Sequence, residues 1–111
     1  MAFQNVTPIK LGQAAIGVTV STLYTVPAST RTYVKDLDIA NTTASSLNVS
    51  VFLVPSGGSA GNTNILIPGI TIPPSGMFQW SGTQFLNAGD TVQVIASATG
   101  CTINASGGEA V

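Results

Sequence analysis

The chain has 111 residues and a formal net charge of −1, from three basic and four acidic side chains, so charged residues make up only 6% of it, against about 25% in ordinary chains. With 44% hydrophobic residues it is no solvated disordered chain, and the near-neutral balance leaves no basic footprint for nucleic acid or anionic lipid. The absence of histidine removes the commonest general base and metal ligand, and the single cysteine, Cys101, excludes an internal disulfide and a cysteine-based zinc site.

No window carries a helical apolar period. Val, Ile, Thr and aromatic residues dominate the periodic segments, and turn clusters recur about every ten residues, the spacing of a sandwich or barrel of short strands. Residues 1–20, with Gly12 and Gly17, read as an N-terminal arm or edge strand, with a strand near 14–20; residues 21–111 read as the sandwich domain. Strands follow near 22–26, 31–41, 47–54, 64–72, 77–80, 84–86, 91–97 and 101–105. Pro27 pre-sets a turn after Val26. Asn41 to Ser46 is a polar hairpin loop, and Pro55 to Asn62 is the longest flexible connection. Tight turns fall at Pro73 to Gly76 and at Asn87 to Asp90.

Two strands are apolar on both faces. In 47–54, Leu47, Val49, Val51 and Leu53 form one face, while Phe52 and Val54 lie on the other. In 91–97, Val92, Val94 and Ala96 point inward and Ile95 interrupts the polar side. Such strands call for cover on both faces, by a second sheet or by another subunit.

The N-terminal residues show no basic segment followed by an apolar one, so no secretory signal is expected, and no apolar run approaches the ~20 residues that span a bilayer. The sequons at Asn5, Asn41, Asn48 and Asn104 then read as chance in a chain rich in Asn, Ser and Thr.

Few residues suggest chemistry. Asp36 and Asp38 are the one close acidic pair and share a strand face, but without a cleft or further oxygen ligands they read as a solvated or ion-paired surface beside Lys35 and Arg31. The glycine-rich stretch 55–61 lacks the Lys-Ser/Thr ending of a phosphate loop. Cys101 reads as a small buried hydrophobe. Trp80 has three readings: a core residue, an anchor at a subunit contact, or a platform for sugar stacking. Phe3, Val6, Ile9 and Leu11 supply apolar groups without a strand period, and with Trp80 they are the candidate interface residues. No catalytic, cofactor-binding or metal-binding residues are expected.

Thr22-Leu-Tyr-Thr-Val-Pro27 followed by Tyr33-Val-Lys-Asp-Leu-Asp-Ile-Ala-Asn-Thr42 resembles small β-sandwich virion proteins of tailed bacteriophages. So do Val51-Phe-Leu-Val-Pro-Ser-Gly-Gly58, Leu86-Asn-Ala-Gly-Asp-Thr-Val92 and the Ser-Gly-Gly-Glu109 ending. The resemblance covers roughly residues 20–109 and implies an all-β antiparallel sandwich, jelly-roll-like, without an active site. It implies a head decoration (cement) protein that binds the major capsid protein on the outer shell as a homo-oligomer, with a homotrimer expected. The chain would be made in the host bacterial cytoplasm and reside on the virion, with no cofactor, nucleic acid or membrane partner. A tail or fibre subunit, and a carbohydrate-binding module using Trp80, are the alternatives.

Overall fold

The computed structural model describes residues 5–111. These form eight strands: β1 Val6–Ile16, β2 Ser21–Thr25, β3 Arg31–Asn41, β4 Leu47–Val54, β5 Ile65–Ile72, β6 Met77–Leu86, β7 Thr91–Ala96 and β8 Cys101–Ala110. They make two antiparallel four-stranded sheets, in the orders β1-β8-β3-β6 and β2-β7-β4-β5. Every connection crosses from one sheet to the other except the β4–β5 hairpin. No helix of the described residues is long and apolar enough to cross a membrane.

The two sheets share one core. Val34, Leu37 and Ile39 of β3 with Cys101, Ile103 and Ala105 of β8 supply one side; Val49 and Val51 of β4 with Val92 and Val94 of β7 supply the other. All ten are at most 2% exposed, and fully burying a Val or Leu side chain stabilises by about 1.5–3 kcal/mol. Cys101 is a buried core residue, and burial raises its thiol pKa.

The inward set of β3 changes parity within the strand. Thr32 and Val34 are buried before Lys35, and Leu37, Ile39 and Asn41 after it. The cause is a bulge: Val34 pairs Gly107 and Asp36 pairs Ser106, which leaves Lys35 as the extra residue. β1 bulges on the other side of the same Ser106, since Lys10 pairs Ser106 and Gly12 pairs Ala105. Leu11 is the extra residue there.

Three expectations are corrected by these ladders. Val6–Ile16 is an edge strand paired along its length with β8, and the strand expected at 14–20 starts earlier and ends at Ile16. The pieces 77–80 and 84–86 are one strand, because Ser81-Gly-Thr83 stays extended and the Trp80 ring lies where a Gly82 side chain would project. β8 runs five residues past its expected end, and there Gly107 and Gly108, without side chains, allow Tyr33 to pack closely against the strand.

The second apolar face of β4 finds its cover within one chain, whereas Ile95 of β7 is only half-buried. Phe52 is 9% exposed and Val54 1%, although neither belongs to the main core. No second subunit is required to bury them.

Candidate interaction surface

Three places on the molecule gather side chains of interest: a polar cluster between the sheets, a groove at one open side, and the outward face of the β1-β8-β3-β6 sheet.

The polar cluster is built on Tyr24 of β2. Its hydroxyl donates to Glu109 Oε2 at 2.5 Å and lies 2.7 Å from Thr32 Oγ1. A phenol has one proton, so with that proton on the carboxylate it is Thr32 that donates to Tyr24. Thr32 and Glu109 are register partners in β3 and β8, so the contact ties one sheet to the other. Burial, reinforced by the hydrogen bond to Glu109, pushes the Tyr24 pKa up to about 12, with Thr32 acting in the opposite sense. The cluster is a structural tie, since its groups are engaged with one another.

The groove, about 500 Å³, lies between the edge strands of the two sheets and is lined by Leu53, Pro55, Thr63, Asn64, Ile65, Leu66 and Gln84. No charged side chain lines it. Among the described residues no three His, Cys, Asp or Glu gather as a metal site.

The outward sheet face is organised in cross-strand rows. Pro8, Gly108, Tyr33 and Phe85 are successive partners across β1, β8, β3 and β6. At the other end of the face the same ladder joins Ala15, Thr102, Ala40 and Met77. Phe85 is 69% exposed and Met77 60%, the two most exposed large apolar side chains described. Between these ends lie two polar rows, Gln13–Asn104–Asp38–Gln79 and Lys10–Ser106–Asp36–Ser81.

The acidic pair therefore sits in the middle of a sheet face, half-buried and not freely solvated. Gln79 donates to Asp36 Oδ1 at 3.3 Å, whereas Lys35 donates to Thr83 Oγ1 at 3.3 Å. Asp38 Oδ1 is buried without a hydrogen-bond partner. Burial, and then the charge of Asp36, raise the Asp38 pKa above that of an ordinary aspartate.

The candidate interface residues separate into distinct environments. Phe3 lies outside the described residues. Val6 is 58% exposed and stands on the outward face, opposite Ala110. Ile9 is half-buried against the core, and Leu11 belongs to the core at 5% exposure. The expectation that Leu11 lacks a place in its own subunit is thus overturned: the bulge hides the strand period but turns Leu11 inward. Trp80 is half-buried, packed against the core with its six-membered ring over Gly82. Phe85 and Met77 were not singled out in the sequence, because each stands alone there and only the register reveals their rows.

No protein-family model, curated protein or solved structure matches this chain.

Proposed function

We propose that the eight strands form a jelly roll and that the chain is a non-enzymatic structural protein of a bacteriophage virion, decorating the outer head shell as a homo-oligomer. The observation that carries the reading is the strand order. The first sheet holds strands 1, 8, 3 and 6 and the second 2, 7, 4 and 5, an order that supports the nested two-Greek-key arrangement used by viral capsid domains, lectins and cupins. Cupin chemistry needs metal ligands, and the chain has no histidine and no gathered carboxylates among the described residues. The order agrees with the resemblance in the sequence to small phage sandwich proteins. Because fold alone does not assign function, the surface supplies the second support. It is poor in charge and carries an outward sheet face with apolar rows at both ends.

The mechanism is adhesion by many small contacts. Each subunit makes modest apolar and neutral hydrogen-bonded contacts to the major capsid protein, and linked copies convert them into high avidity. Few charges are present to form ion pairs, so retention on the particle depends little on ionic strength. The test is cosedimentation of the purified protein with DNA-filled heads stripped of small surface proteins. Saturable binding that survives molar salt but is lost in mild denaturant supports the reading. Failure to bind heads, with binding to tails or to a glycan array, moves the assignment to one of the two alternatives.

A further inference from the structure

The edge strand β6 has one free side. Among the described residues it pairs β3 only, runs for ten residues, and contains no proline and no charged residue, although its ladder with β3 is irregular where Gly82 and Thr83 stand opposite Lys35. The other outer strand on this side of the molecule, β5, is protected: Pro68 and Gly69 form an outward bulge, with Gly69 at φ +56° and its N–H bonded to Ser50 Oγ at 2.9 Å. The irregularity in β6 has neither a proline nor a left-handed residue, so β6 is the more open of the two edges, and this points to a partner for it.

We infer that this partner is a second copy of the chain, with β6 pairing β6 antiparallel about a two-fold axis at Ser81. An axis through the sheet keeps each face continuous, so only residues on the same face come opposite one another. Met77 and Phe85 lie four residues to either side of Ser81. The axis therefore sets Met77 of each copy against Phe85 of the other. The two apolar rows, orphaned at opposite ends of the monomer, join into rows running across all eight strands of the combined sheet.

Charge supports the same axis. Gln79 carries Asp36 beside it and Thr83 carries Lys35, each through a 3.3 Å hydrogen bond. The pairing sets Gln79 against Thr83 of the copy, so the carboxylate of one chain and the ammonium of the other flank the same pair, twice by symmetry. Registers centred two residues away on either side lose both the Met77–Phe85 pair and this complementarity. The contact closes at two copies, in place of the trimer expected from the sequence. It does not depend on shell binding.

The experiment is a crosslink with mass readout on the full chain, helped by the burial of its only cysteine. Opposed residues in antiparallel strands lie about 4.5–5.5 Å apart at Cα, within disulfide range. Ser81→Cys is the one outward substitution on β6 that faces itself, so mild oxidation should convert it to a covalent dimer of twice 11.2 kDa, while Gln79→Cys, which faces Thr83, stays uncrosslinked. Phe85→Lys should raise the dimer dissociation constant by at least about tenfold, and adding Met77→Glu should restore it. Both positions are exposed, so neither change tests folding. A native monomer, a threefold mass, or equal crosslinking at positions 79 and 81 overturns the proposal. Failure to bind heads by a chain that dimerises as described removes the decoration reading alone.

Discussion

Gly107 of β8 lies directly beneath the carbonyl oxygen of Tyr33 in β3, so that a Cβ on Gly107 would fall on that oxygen. Its neighbour Gly108 meets Tyr33 as well, but through the phenol ring. One contact is with backbone held in a ladder and the other with a side chain that can rotate away. Gly107→Ala is therefore expected to destabilise by about 1–3 kcal/mol, as overpacking does, and Gly108→Ala by clearly less. Denaturant unfolding of the two variants checks this; equal losses would refute the distinction.

Tyr24→Phe removes the tie between the sheets and leaves Thr32 and Glu109 facing a ring edge. Hydrogen bonds to a charged group contribute about 1.5–3 kcal/mol, and a loss in that range is expected at neutral pH. The pH dependence has a definite sign. The unfolded phenol ionises at its ordinary value of 10.0 and the folded one at about 12. Unfolding therefore gains proton release between these values, and native stability declines as pH rises from about 10 to about 12. An ultraviolet titration should lose its latest phenol step in Tyr24→Phe, and the variant's alkaline decline should be shallower.

Asp38 holds a buried oxygen without a partner, and its pKa lies above the ordinary aspartate value of 3.8. Raising the pKa of an acid favours its protonated form in the folded state. The folded chain is therefore penalised as pH rises above 3.8, with no penalty well below it. Asp38→Asn should raise the melting temperature by a few degrees at pH 7, and the gain should vanish once the native carboxyl is protonated. A constant gain across the acid range would mean that packing, not charge, is responsible.

Asn41 is 2% exposed and secures the end of the sandwich with all its polar capacity. The two protons of its Nδ2 are shared among the carbonyls of Ser45, Ile72 and Pro73 at 2.7, 3.1 and 3.2 Å, and its Oδ1 accepts from the Thr43 N–H at 2.9 Å and the Thr43 hydroxyl at 2.7 Å. It thereby fixes the β3–β4 loop to the β5–β6 turn. Asn41→Ala strips these carbonyls of their donor and is expected to cost about 2 kcal/mol or more. Hydrogen exchange should show both connections loosening together.

What was legible in the sequence follows from how regular each strand is. The bounds of β3 and β4 coincide with those read from alternation, 31–41 and 47–54. In β3 the bulge puts apolar residues on both parities, Val34 before it and Leu37 and Ile39 after it, so the strand reads as one piece. β1 was misplaced because Pro8, Gly12 and the bulged Leu11 erase its period, although Ile9, Leu11 and Ile16 all turn toward the core. Glycine misled in β6: at 82 it makes space for Trp80 instead of turning the chain, as the glycines at 107–108 of β8 make space for Tyr33. The apolar rows were out of reach for another reason. Met77 and Phe85 acquire neighbours only through pairings with residues far along the chain, which no local pattern encodes.

The bulge at Lys35 also governs where β3 can change length. Lys35 and Asp36 occupy the place that one residue fills in a regular ladder, so removing Lys35 leaves Val34 facing inward, Asp36 outward and Leu37 inward. Removing any regularly paired residue of the strand instead reverses everything on one side of the gap, carrying Leu37 and Ile39 into solvent or Asp36 and Asp38 into the core. A one-residue deletion in β3 thus regularises the ladder with β8 only at the bulge, and there it leaves Gly82 and Thr83 of β6 with no residue opposite them.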